Sequence, residues 1–119
     1  MDRSRITTDD FLPLRPVEFR ILVSLAAGER HGYGIIQEIE ASGEFGVPDI
    51  GTMYRALARL TESGLIEPSS RRASGPAEER RNYYRITAVG RRVARAEAAQ
   101  LQALMRAARS GGLLPKPAK

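Results

Sequence analysis

Apolar residues recur at helical spacing in three early blocks. Between Pro16 and Ala27, Val17, Ile21, Leu22 and Leu25 mark one helix face, and Gly28 follows as a stop. Pro16 suits a first helical position, because the N–H it lacks would have no partner there. Ile35, Ile36 and Ile39 give a second helix, Gly32 to Ala41, preceded by His31, which is expected to cap or pack its start. Gly43 to Pro48 breaks the pattern. Asp49 can then accept the unpaired N–H groups of a third helix, Ile50 to Glu62, which ends at Ser63-Gly64.

Beyond Gly64 the period shortens. Leu65, Ile66 and Glu67 read as a short strand, and Pro68 suits only its end or an edge. Ser69 to Glu79 is a polar loop around Gly75-Pro76, and Asn82 to Ile86 is strand-prone through Tyr83, Tyr84 and Ile86. The two tyrosines alternate across a strand, so one should face the core and the other solvent. Leu65 to Ile86 is thus expected to be a hairpin with a long basic tip. Thr87 can cap a last helix, Ala88 to Arg109, closed by Gly111-Gly112. Along it Ala94, Ala98, Leu101, Met105 and Ala108 recur at spacings of 4, 3, 4 and 3, a short seam of coiled-coil type. Part of this stripe has an alternative place, against the first helix of its own chain.

Three helices, a hairpin and a further helix is the element order of a winged helix-turn-helix. The expected fold is mainly α (α+β): a winged helix-turn-helix with a two-stranded wing and a C-terminal dimerisation helix. It divides into a flexible arm (1–13), a winged helix domain (14–87), the dimerisation helix (88–110) and a flexible tail (111–119). The Gly43 to Pro48 connection is longer than the turn of a plain helix-turn-helix.

Composition narrows the functions. The 119 residues suit a single modest core, and the net charge of +5 on so short a chain points to a polyanionic partner. Without cysteine, and with His31 the sole histidine, neither a thiolate nucleophile nor a Cys- or His-rich metal site is expected. No cofactor is expected. Asp9-Asp10 and Glu78-Glu79 have no base or nucleophile beside them, so no enzyme is expected. No apolar run approaches a membrane span and the N-terminus lacks a signal segment, so the expected location is cytoplasmic, without membrane contact.

The charges sit where a nucleic acid would meet them. At about 100° per residue, Met53, Leu57 and Leu60 share one face of the third helix, while Thr52, Arg55, Arg59 and Glu62 share the other. Arg71, Arg72, Arg80 and Arg81 flank or occupy the hairpin tip. Arginine grips a phosphate or a guanine edge through two parallel hydrogen bonds, so Thr52, Arg55 and Arg59 are candidates for base reading and the hairpin arginines for the backbone. The alternative is a winged-helix protein-interaction module that never touches DNA. Such a module calls for apolar residues on the exposed face of the third helix, where this chain has polar ones.

Several segments then carry a resemblance. His31-Gly32-Tyr33-Gly34 opens the second helix. Gly51-Thr52-Met53-Tyr54-Arg55-Ala56-Leu57 opens the third, which closes with Arg59-Leu60 and Gly64-Leu65-Ile66. Arg80-Arg81-Asn82-Tyr83-Tyr84-Arg85-Ile86-Thr87 leads through Gly90-Arg91 into the last helix. From about Leu14 to Leu114 the chain resembles the PadR family of transcriptional regulators, in its smaller subgroup with one short C-terminal helix. The resemblance implies a homodimeric repressor on a pseudo-palindromic operator in double-stranded DNA, joined through the C-terminal helices. It suggests phosphate contacts for Tyr33 and Tyr54, against the alternative that both pack between helices. Some relatives bind phenolic acids or flat aromatic drugs near the dimer interface, so a small-molecule effector of unknown identity is implied. The chain has no tryptophan and its last helix no aromatic residue, which argues against an aromatic-lined pore.

Overall fold

The computed structural model describes residues 11–42, 49–69 and 83–115. Its elements are α1 (Pro16–Ala26), β1 (Arg30–His31), α2 (Gly32–Ala41), α3 (Ile50–Glu62), β2 (Ile66–Pro68), β3 (Tyr83–Ile86) and α4 (Ala88–Ser110). The four helices lie where the periodicity put them. The expected two-stranded wing is β2 with β3, and a third strand joins it: β1 lies on the other edge of β3, so the antiparallel sheet runs β1-β3-β2. Arg30 and His31 pair with Tyr84 and Tyr83 on one edge of β3, while Ile66, Glu67 and Pro68 pair with Ile86, Arg85 and Tyr84 on the other. Two residues are too few to show alternation. They become a strand because β3 has a second edge whose backbone groups need partners.

Local chemistry fixes the helix ends. His31 caps α2, its Nδ1 accepting the Gly34 N–H at 3.0 Å. The Asp49 carboxylate accepts the Thr52 N–H at 2.8 Å, and the Thr87 hydroxyl accepts the Gly90 N–H at 3.0 Å. At the end of α3, Gly64 takes a left-handed φ of 79°. The Leu65 N–H then reaches back to the Leu60 carbonyl and the Gly64 N–H to that of Thr61. Leu60 and Leu65 are both buried in the same core cluster, as the apolar positions of this cap should be.

Each helix turns its apolar stripe to one core. Ile21, Leu22 and Leu25 of α1, Ile35, Ile36 and Ile39 of α2, Met53, Leu57 and Leu60 of α3, and Leu65 and Ile66 form it, with Val93 entering from α4. Phe11 and Leu12 pack on its edge. Tyr84 packs against the core as one of the two tyrosines should, but Tyr83 does not reach open solvent: it is half-buried, its ring meeting His31 edge-on at 5.5 Å. Thr87 ties the start of α4 to the corner between α3 and β2. Its hydroxyl donates to the Gly64 carbonyl at 2.7 Å and its N–H to that of Leu65 at 3.0 Å. This arrangement, with α2 and α3 as the paired helices and β2–β3 as the wing, is a winged helix. Among the described residues no helix is long and apolar enough to cross a membrane.

Candidate nucleic-acid interface

The outer side of α3 is polar at its N-terminal end, and its side chains are coupled. Arg55 folds back toward the start of the helix, where Nη2 donates to the Thr52 hydroxyl at 3.1 Å. Gly51 makes room for this: a Cβ there would lie 3.3 Å from Arg55 Nη1. Asp49 completes the group. Its carboxyl is held below the ordinary carboxylate range by the Thr52 backbone N–H and then by the Thr52 side chain; desolvation opposes them, and the charge of Arg55 adds the least. The guanidinium is thereby positioned over the first turn, the part of a recognition helix that meets base edges. Asp49 also puts a negative charge where a phosphate would otherwise approach the helix N-terminus.

The depressed Asp49 carboxyl makes the α3 cap pH-dependent only on the acid side. A group whose folded-state value is depressed contributes stability that is fully present above its unfolded value and is lost as pH falls through the folded one. The Thr52 amide resonance should therefore stay constant from pH 8 down to pH 5, a span chosen to lie above carboxylate titration, and move only at more acid pH. Movement near neutrality would contradict the cap.

The other sequence candidates are placed as follows. Tyr54, 41% exposed, lies with its ring edge 3.4 Å from where a Gly32 Cβ would be, in a cluster with Leu57 and Tyr84, so it packs between α2 and α3 while part of its ring stays open. Tyr84 titrates above the usual phenol range, through burial and then the neighbouring Tyr54. Tyr33 stands out from α2, 55% exposed. Arg59 is not held like Arg55: its Nε donates to Glu18 Oε2 of α1 at 3.0 Å. Nothing in the sequence singled out Glu18, since its partner lies 41 residues away. Arg71, Arg72, Arg80 and Arg81 lie outside the described residues, as does the Gly43 to Pro48 connection. Near the base of the wing, Arg85 pairs with Glu67 directly across the sheet at 2.7 Å.

The expected α4 seam divides in two. Its first part turns inward: Val93 and Glu97 are buried, Ala94 packs against the core, and Ala94 and Ala98 line a cleft of about 240 Å³ with Phe19, Leu22, Val23 and Ala26 of α1. Beyond it Leu101 (37% exposed), Met105 (44%) and Leu104 (64%) are open, and Ala108 is half-buried. Leu104 belongs to the stripe although the 4-3-4-3 spacing passed over it. Among the described residues no His, Cys, Asp or Glu cluster is placed to hold a metal.

Comparison with known proteins agrees with this geometry. The family model described as the transcriptional regulator PadR-like family matches residues 21–96. A transcriptional regulator from Clostridium thermocellum is 27% identical, with a TM-score of 0.64 over 88% of this chain and 96% of that one. A PadR-like transcriptional regulator from Bacillus cereus is 26% identical, with a TM-score of 0.67 over 85% and 93%. A PadR family regulator from Clostridium difficile shares the fold at a TM-score of 0.68 and 23% identity, over 79% and 95%. No curated protein matches the chain. With the family model spanning well over half of its length, the chain belongs to the PadR-like family of transcriptional regulators.

Proposed function

We propose that the chain is a homodimeric repressor that binds a pseudo-palindromic operator in double-stranded DNA and is released by a small-molecule or other signal. The observation that carries this is the Thr52–Arg55 pair on the first turn of α3, in a winged helix of a family of transcriptional regulators. In this reading α3 enters the major groove, and Thr52, Arg55 and the open part of Tyr54 face the bases and nearby phosphates. The hairpin arginines Arg71, Arg72, Arg80 and Arg81, with Tyr33, grip the backbone. The open stripe of α4 supports a two-fold dimer, which would set the two α3 helices about one DNA turn apart or a multiple of it. The cleft between α1 and α4 adjoins that stripe, so it is where an apolar effector would act on the dimer.

Selection from random duplexes on the purified protein tests binding, site length and symmetry together. Affinity for the selected duplex should fall steeply with salt, log affinity dropping by about 0.9 per log unit of salt for each phosphate neutralised. A flat salt response would favour the protein-interaction module instead. Arg55→Ala should cost about 1–3 kcal/mol on the selected site and blur sequence preference. Arg72→Ala should weaken selected and scrambled duplexes alike, because a phosphate carries no sequence information. An unchanged selected-to-scrambled ratio in Arg55→Ala would rule out base reading by that residue.

A further inference from the structure

We propose that Glu18 is a specificity-determining residue that latches Arg59 away from the DNA backbone and fixes α3 against α1; this rests on the DNA-binding reading above. Arg59 lies one helical turn beyond Arg55 on the same side of α3. Left alone it would be a mobile cation on the side that faces the phosphates. Instead its Nε donates to Glu18 Oε2 at 3.0 Å. Both carboxylate oxygens are engaged, because Oε1 accepts the Arg15 N–H at 3.0 Å in the first turn of α1. The Glu18 side chain is only 13% exposed against 35% for Arg59. The anion is thus the anchored partner and the guanidinium is drawn to it.

Two consequences follow for DNA. The contact uses Nε alone, so a phosphate that reached the terminal amino groups would meet a guanidinium whose charge Glu18 already offsets, and would lie close to a carboxylate that repels it. Arg59 is therefore withheld from counterion release. A cation on the backbone raises affinity for every sequence alike. Withholding one lowers binding to selected and scrambled DNA equally and leaves discrimination to the Thr52–Arg55 reading head, whose presentation the latch controls. The latch also joins α1 and α3 across 41 residues of sequence, so it holds the angle at which α3 is presented. Glu18 touches no base in this arrangement; it is a positioning residue.

The test is duplex binding by the full chain at several salt concentrations, on selected and scrambled DNA. Glu18→Ala should bind scrambled DNA more tightly, with its log–log salt slope steeper by about 0.9 per copy, and the selected-to-scrambled ratio should fall severalfold because α3 is no longer held against α1. Adding Arg59→Ala to Glu18→Ala should return the slope to the wild-type value, while Arg59→Ala alone should leave it unchanged. A purely structural role for the pair would lower thermal stability without moving the slope. The proposal is overturned if Arg59→Ala alone flattens the slope by about 0.9 per copy, since Arg59 would then touch a phosphate already. It is equally overturned if a folded Glu18→Ala leaves slope and ratio as they were. If circular dichroism finds Glu18→Ala unfolded, Arg59→Ala decides alone: an unchanged slope supports the latch and a flattened one rejects it. A wild-type chain with no salt-dependent duplex binding removes the DNA reading itself, and the latch with it.

Discussion

Gly90→Ala is expected to destabilise the fold by about 3 kcal/mol, the upper end of the usual penalty for overpacking a tight core. A domain of this size loses roughly 4–8 °C of melting temperature per kcal/mol, so the midpoint should fall by more than about 10 °C. The reason is the joint between the wing and α4. Thr87 caps α4 through the Gly90 N–H and bonds the Gly64 and Leu65 backbone, which draws the first turn of the helix onto the corner after α3. A Cβ on Gly90 would overlap the Leu65 carbonyl oxygen and crowd the Ile86 side chain at 2.9 Å. The carbonyl belongs to backbone that accepts the Thr87 N–H, so it has no route to retreat. Moving α4 instead would withdraw Val93 from the core, where it is fully buried. Gly111→Ala is the control. That glycine has a negative φ of −84°, and the nearest atom to a Cβ there is the Ala107 carbonyl oxygen at 3.5 Å, an ordinary contact. Thermal unfolding followed by circular dichroism separates the two variants. Equal melting temperatures would mean that Gly90 is not held against Leu65.

The joint itself was partly legible in the sequence. Thr87, like Asp49 and His31, could be read as a cap because capping depends on residues three apart in the chain. The same local logic placed the helices, whose apolar periods are set by their own geometry. Features made by partners distant in sequence were invisible. Strand β1 exists because β3 offers it an edge, and no pattern in Arg30–His31 announces it. The helical angle puts Arg59 on the same side of α3 as Arg55. Its engagement by Glu18 depends on how α1 crosses α3, which the period of neither helix specifies. The arginine pair was similarly half visible: spacing put Arg55 and Arg59 on one side, but only the structure separates the one folded over Thr52 from the one drawn to α1. On α4 the 4-3-4-3 spacing selected Ala98 and Met105. The burial along the helix shows a division no spacing carries, with Val93 and Ala94 committed to the chain's own core and the stripe from Leu101 onward left open.

Leu104→Asp should convert the proposed dimer to monomer and remove binding to the selected duplex, while leaving the winged helix folded. Leu104 is the better probe of the stripe than Leu101 because it is 64% exposed within its own chain, against 37%. An aspartate there meets water in the monomer and disturbs little of the core. In a two-fold interface each substitution occurs twice. Burying a leucine side chain is worth about 1.5–3 kcal/mol, so losing two costs about 3–6 kcal/mol before the desolvation of two carboxylates is added. At 1.4 kcal/mol per factor of ten, dimerisation weakens by roughly a hundred-fold to ten-thousand-fold. A monomer keeps Thr52 and Arg55 but forgoes the second half-site, and with it the contacts that make an operator distinct from random DNA. The Ala94 and Ala98 part of the stripe lies beside α1, so the start of α4 should stay docked on Val93. Light scattering or sedimentation reads the oligomeric state, circular dichroism the fold, and anisotropy on the selected duplex the binding. A folded variant that remains dimeric would place the interface elsewhere. An unfolded one would mean that the open half of α4 belongs to the chain's own core, against the exposure of Leu101, Leu104 and Met105.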